Sequence, residues 1–469
     1  MDVIFLELFC LFVGISGYVL VWLNEAESAP YMDEVFHIPQ VQNYCVGKFN
    51  EWDPMITTLP GLYLATVGIV KPLGTLFSIP ASTLCSTFWL RSVNVFFATG
   101  NLYLLYRLVK KLHQSDKVSS PGKEALTAFT LGIFPVLYFF TFLYYTDSGS
   151  TFCVLLMYLL SLDGSQKMAA LIGAVSVTFR QTNIVWVVFM AGITASDSLL
   201  YRVHPEKKDI SRESQRNLGF LPILVRQLYN WTTKDRKSLW NWLGDMINKI
   251  WVYLLVIVGF IAFMIINDGI VVGAKDHHPV VLHFPQVFYL ASFMVGFSIM
   301  HHISASRVQS FLKCLYKKPF LVIVYSLVSA LIVWKFTHVH PYLLADNRHY
   351  TFYVWSRIYR RHEFIRYALI PCYGFALWTL LRAIERKNIL WKCVYCICAS
   401  ANLIPSPLLE FRYFIMPYLI YRLNMPLASY VRLLMELTMY IAINFVTLYM
   451  FMEKPFLWEG VSGYQRFMW

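Results

Sequence analysis

Charged side chains are scarce in this sequence, and no polar stretch is long enough to fold as a soluble domain. Of 469 residues, 14% are charged, 57% hydrophobic and 17% aromatic. The mean hydropathy of +0.51 lies outside the range of globular domains. A Gly-rich phosphate loop is absent, which excludes a nucleotide cradle of that kind. Internal repeats and low-complexity tracts are absent too. Nine cysteines are an odd number, and most fall inside apolar runs. Cys393, Cys396 and Cys398 sit within one such run without a fourth ligand nearby, so a tetrahedral zinc site is not expected there. What is present instead is a succession of apolar runs of about 18 residues or more, the length a helix needs to cross a bilayer. A membrane β-barrel would show weakly alternating segments of about ten residues. The fold class is therefore an all-α polytopic membrane protein.

Forty Lys and Arg against 27 Asp and Glu give a net charge of +13. The basic residues are scattered between apolar runs rather than gathered on a tail, which argues against nucleic acid and for positive-inside charge in short loops. The first apolar run, Ile4 to Leu23, lacks a basic leader and reads as a signal-anchor rather than a cleaved signal. The alternation of sides then gives about 13 spans, 12 to 14 being equally compatible with the length a span requires. Residues 24–84 form a first lumenal loop rich in acids, within which Leu59 to Leu76 is apolar but interrupted by prolines. Residues 202–249 form a basic cytosolic loop, and residues 338–363 a lumenal loop rich in Arg and His. The whole chain, 1–469, reads as one polytopic domain. Asn230-Trp231-Thr232 fits the glycan acceptor pattern but falls on the cytosolic side, where it stays unmodified.

The stretch Tyr31-Met32-Asp33-Glu34-Val35-Phe36-His37 places two adjacent carboxylates and an imidazole just past the first membrane helix. Such a cluster suits chemistry better than packing. Asp33, with Glu34 as the alternative, is the expected base of a transfer reaction on the lumenal side. The segment 338–363 carries Arg348, Arg357, Arg360, Arg361 and His349 on the side where cations are disfavoured, and clustered Arg suits phosphate; solvated loop charges are the alternative. Arg180 and Gln181 interrupt an apolar pattern, so a cavity or counter-charge is implied, and Asp147 from the neighbouring turn is the structural candidate. Glu410 and Arg412 stand at a lumenal helix mouth, as site residues or as interfacial anchors. Arg91 and Asn94 raise a weaker form of the same question.

These stretches, together with Trp52-Asp53-Pro54-Met55-Ile56-Thr57-Thr58, Leu344 to Trp355 and Leu409-Glu410-Phe411-Arg412-Tyr413-Phe414, make the chain recognisable. From about Pro30 to Trp469 it resembles the dolichyl-phosphate-glucose-dependent α-1,2-glucosyltransferases of the endoplasmic reticulum, which add the last glucose to the lipid-linked oligosaccharide used for N-glycosylation. The resemblance implies a GT-C type multi-helix bundle whose first lumenal loop carries the acidic catalytic residue, here Asp33 or Glu34. It implies an endoplasmic reticulum membrane location. It also implies a dolichyl-phosphate-glucose donor lying with its tail in a lateral groove, and a dolichyl-diphosphate-linked oligosaccharide acceptor.

A sugar on dolichyl phosphate already carries an activated leaving group. The lumenal segments offer no Asp-x-Asp pair, so neither a metal nor a cofactor is expected, with Arg taking the cation's place. Arg348, Arg412 and Arg180 are the expected phosphate partners, and His37 and His349 could donate to the same oxygens. The rival reading is a non-catalytic membrane protein that regulates a channel or transporter, its buried charges lining an interface. The paired acid of the first loop discriminates against that reading.

Overall fold

The structure is a computed structural model that describes residues 2–116, 119–203, 220–277, 279–460 and 463–469. Of the basic cytosolic loop expected at 202–249, residues 204–219 lie outside the described residues; the rest is mainly the helix Leu221–Thr233 and the start of the 32-residue helix Arg236–Asn267. The architecture is helical throughout, apart from a two-stranded antiparallel hairpin, Phe456–Leu457 with Tyr464–Gln465. Among the described residues, five helices are long and apolar enough to cross a membrane: Val3–Ala26, Gln181–Val203, Arg236–Asn267, Pro319–Phe336 and Tyr430–Glu453. The chain is thus a multi-pass membrane protein.

The remaining apolar helices are shorter, so length and apolarity do not by themselves mark out 13 spans. One reason is local chemistry. The single helix expected over Ala125 to Tyr144 is two, Pro121–Gly132 and Pro135–Phe140. Pro135 has no N–H to donate and pushes Phe134 out of the helical region, to φ −53° and ψ 120°. The helix expected over Phe284 to Ile303 ends at Phe297. There the Ser298 hydroxyl donates to the Met294 carbonyl at 2.5 Å, a local bond that competes with helix continuation. The apolar stretch Leu59 to Leu76 forms the helix Gly61–Phe77 and accommodates Pro72 in its interior.

The helix Thr87–Leu112 organises one half of the bundle. It buries Leu90, Val93, Phe97, Leu102 and Leu105, and also Arg91, Asn94 and Asn101. Apolar burial at about 25 cal/mol per Å² of area removed from water drives such packing between loops and water-facing ends, while in lipid close fit and interhelical hydrogen bonds do more. Gly149 shows the closeness of fit next to the polar cluster. A Cβ there would meet the Phe179 ring at 2.4 Å, so the helices Asp147–Leu162 and Gln166–Phe179 approach as only glycine allows. That approach sets Asp147, in the first turn of one, beside Arg180, at the end of the other.

Candidate active site

Glu34 and Arg91 form the foundation of the site. Arg91 donates from Nε to Glu34 Oε1 at 2.9 Å and from Nη2 to Oε2 at 2.6 Å, and both side chains have no exposure. The Glu34 carboxylate also accepts the Tyr144 amide at 2.6 Å and the Tyr31 amide at 3.0 Å. Arg91 further donates to the carbonyls of Glu27 and Ala29, capping the way out of the first helix. An ion pair this buried is tolerable only because nearly every lone pair and proton is used. The Glu34 oxygens thus face Arg91 and backbone amides, which suits a structural role rather than that of the base. Asn94 extends the same scaffold by donating to the carbonyls of Leu143 and Tyr145 at 2.6 and 2.7 Å.

Asp33 faces the other way. Met32 adopts φ +55°, a left-handed conformation that a non-glycine residue holds only when its surroundings impose it. The Tyr31 hydroxyl supplies part of that constraint, accepting the Arg466 amide at 2.8 Å and donating to the Arg466 carbonyl at 2.9 Å. The Asp33 amide donates to the Tyr145 hydroxyl at 3.1 Å. Its carboxylate, 44% exposed, lies 3.4 Å from the Arg412 guanidinium.

Arg412 is the hub. Besides Asp33 it pairs with Glu410 and stands 3.7 Å from Asp147, with the rings of Phe140 and Tyr145 each 5.0 Å from its carbon centre. Asp147 is held by Arg180 at 2.7 Å, as the structural alternative anticipated, yet its second oxygen is buried without a hydrogen bond. Gln181 donates to the Thr57 carbonyl at 2.8 Å and so ties the polar break at 180–183 to the first loop. Three carboxylates thus share two guanidiniums around one point. A cavity of about 360 Å³ opens beside it. Asp147, Arg180, Gln181 and Arg412 are among its polar lining, and Trp186 and Phe260 among its apolar lining.

His37 bonds through Nδ1 to the Tyr63 hydroxyl at 2.5 Å. Burial, with help from the Arg412 charge and against the attraction of Asp33, holds its pKa below the usual 6.5, so the ring is neutral at neutral pH. The structure does not bring Arg348 and His349 into contact with this cluster. Arg348 spends Nε and Nη2 on Asp346 at 2.8 and 2.7 Å and Nη1 on Gln465 at 3.0 Å, with Trp458 stacked 4.6 Å away. Its donors are engaged within its own loop and the C-terminal hairpin, while its charge still acts on Tyr31 and Tyr145. His349 donates from Nδ1 to the Trp469 carbonyl, 2.8 Å away, and is engaged with the same C-terminal segment.

Three features escaped the sequence reading. Tyr145 and Arg466 position Asp33 only through long-range contacts, with no sequence signal to mark them. The third is a disulfide between Cys45 and Cys85, 40 residues apart. Both cysteines belong to the first loop, whose boundary, drawn at Leu84, left Cys85 one residue outside.

The profile of the DIE2/ALG10 family matches residues 27–423, a range that holds every residue of this cluster except Arg466. The chain is 46% identical over 459 residues to the mouse protein named Dol-P-Glc:Glc(2)Man(9)GlcNAc(2)-PP-Dol alpha-1,2-glucosyltransferase, covering 95% of this chain and 94% of that one. It is 44% identical over 454 residues to a human protein of the same name, with the same coverage. To the Arabidopsis thaliana protein of that name it is 34% identical over 500 residues, covering 95% of this chain and 96% of the relative.

Proposed function

The chain belongs to the DIE2/ALG10 family, and from that premise we propose that it transfers glucose from dolichyl phosphate glucose to the diglucosylated dolichyl-diphosphate oligosaccharide in α-1,2 linkage. It is a hexosyltransferase, and the reaction is the last step in assembling the N-glycan precursor. The observation that carries the assignment of the site is the Asp33 carboxylate 3.4 Å from Arg412, which lines a cavity of mixed polar and apolar walls. A phosphate linked to a long lipid has the same two-part chemistry.

A β-linked glucosyl phosphate becomes an α-glucoside by inversion, which one displacement supplies. Asp33 takes the proton of the acceptor 2-hydroxyl while the oxygen of that hydroxyl bonds to the anomeric carbon. The anomeric carbon–oxygen bond to phosphate breaks with its electron pair on the leaving dolichyl phosphate. Arg412 and Arg180 offset the charge that grows on the departing oxygen, each donor contributing up to about 3 to 4 kcal/mol in a preorganised, water-poor site. Glu34 holds Asp33 in place through Arg91, and Glu410 and Asp147 hold the two arginines. The neutral His37, bonded to the Tyr63 hydroxyl, packs behind Asp33.

The site faces the lumen of the endoplasmic reticulum in this reading, on a GT-C type bundle of about 13 spans formed by one domain, 1–469. The Cys45–Cys85 disulfide in the same loop as Asp33 supports that side, since disulfides persist in oxidising compartments. The test is a cell-free assay of the purified protein with radiolabelled dolichyl phosphate glucose and the diglucosylated acceptor. Formation of a product whose new glucose is released by an α-1,2-specific glucosidase is the expected result. A folded protein that transfers no glucose would overturn the assignment.

A further inference from the structure

At the end of the bundle away from Asp33 lies a second cavity, of about 430 Å³, lined by Arg307, Arg382, Arg386, Arg432, His301 and Glu385 together with the turn 425–428. The chain fixes its distance from the glucosyl-transfer site. Arg386 precedes the helix Ile389–Leu403 and Arg412 follows it, and fifteen residues at 1.5 Å each put about 22 Å between them. Arg432 likewise opens the helix Tyr430–Glu453, whose far end holds the Phe451 and Met452 carbonyls gripped by Arg466 on the Asp33 side. The two cavities share no lining residue.

The charges here are not balanced. Arg382 lies 3.5 Å from Glu385 and Arg386 3.3 Å from Asp116, all but Asp116 more than half exposed. Arg307 is aimed by the Thr379 hydroxyl at 3.2 Å and has no carboxylate partner among the described residues. Arg432 is exposed and has none either. The acid nearest beneath the floor, Glu436, is already taken: Arg422 pairs with it at 2.7 Å and His301 at 2.8 Å, all three nearly or fully buried. Two guanidiniums are therefore left to draw an anion into a concave site built from three separate stretches of chain. Forked guanidinium donors match the oxygens of phosphate, as they do those of carboxylate, and the described carboxylates here do not meet Arg307 or Arg432.

The helix Ala305–Lys317, which supplies Arg307, says where that anion comes from. Its apolar residues Val308, Phe311, Leu312 and Leu315 recur at the spacing of one helix face, yet it buries no residue at all. Val308 is 39% and Leu312 57% exposed, with Lys313 and Lys317 on the flanks. A short helix of this kind lies in the plane of a membrane with its apolar face among the acyl chains, which brings Arg307 to the depth of the lipid headgroups.

We propose that this pocket binds a phosphate monoester at the membrane face opposite the transfer site, the chemistry of an anionic lipid headgroup such as that of phosphatidic acid. The site is independent of glucose transfer. Its test is direct binding to the purified full chain in phosphatidylcholine nanodiscs doped with phosphatidic acid, read by native mass spectrometry, with inorganic phosphate as competitor and phosphatidylserine as a control anion. The Arg307→Gln/Arg432→Gln double variant is expected to weaken phosphatidic acid binding at least about tenfold, as loss of charge-assisted bonds predicts, without a change in melting temperature. Arg432→Gln alone, at an exposed side chain, keeps the test valid should the double variant fold poorly. Equal displacement by inorganic phosphate would assign the same site to free phosphate. Undiminished binding in the folded variants, or equal binding of phosphatidylserine, overturns the proposal.

Discussion

Asp33 and Glu34 are neighbours in sequence with opposite expected responses to the same small change. Asp33→Asn removes a proton acceptor and little else. Its contact with Arg412 is 3.4 Å long, the Asp33 side chain is 44% exposed and Arg412 keeps Glu410 and Asp147 as counter-charges, so the loss changes stability by about 1 kcal/mol. The rate should fall about 10²- to 10⁴-fold, the usual contribution of a positioned general base, equivalent to about 3 to 5 kcal/mol of barrier at 1.36 kcal/mol per decade. Glu34→Gln keeps the shape but leaves the fully buried Arg91 without a counter-charge, a change that costs about 3 to 5 kcal/mol when a buried pair is broken on one side. The assay pairs glucose transfer with thermal retention of the folded protein in detergent, both on purified variants at matched amounts. Asp33→Asn is expected to be inactive and as heat-stable as the parent, and Glu34→Gln to be heat-labile with residual transfer per folded molecule. A Glu34→Gln protein of parental stability with no transfer, beside an active Asp33→Asn protein, would refute the division of roles.

Arg412→Lys keeps one charge but loses the fork that spans Asp33, Glu410 and Asp147; it should lower kcat about 10²- to 10³-fold, the range seen when a preorganised donor is removed, and raise the requirement for donor more than for acceptor in initial-rate assays. The Cys45–Cys85 bond closes a loop of 40 residues, worth about 4 kcal/mol on the chain-entropy account; Cys45→Ser/Cys85→Ser should melt earlier, and the parent but not the variant should shift on non-reducing gels after thiol alkylation. His37, held below its ordinary pKa of 6.5 by burial, binds fewer protons folded than unfolded, so its contribution to stability is complete above about pH 6.5 and is lost as acidification proceeds toward the folded value. His37→Gln should flatten that acid limb in thermal scans, and an unchanged limb would remove His37 from the account.

The positions of the charges were legible in the sequence, but their directions were not. Asp33 and Glu34 both stood out because two acids beyond a membrane helix have no packing use. Successive residues at the start of a helix point about 100° apart, so one of the two had to face inward, and which one depends on Arg91, 57 residues further on. The same limit explains Arg348. Asp346-Asn347-Arg348 and Glu410-Phe411-Arg412 share an acid-x-Arg spacing, and nothing local separates them. In the first the acid, Gln465 and Trp458 absorb the guanidinium, whereas in the second the chain around it also delivers Asp33 and Asp147. Arg180 and Asp147 could be paired in advance because the two helices that carry them are joined by a tight turn, which makes them antiparallel neighbours and brings their far ends together. Helix ends failed where a single residue decided them, at Pro135 and Ser298, since hydropathy averages over windows longer than the feature. An arginine in such a protein is therefore informative in proportion to the number of distant acids it meets, and by that measure Arg412, near carboxylates from three separate segments, is the residue that the proposed chemistry most needs tested.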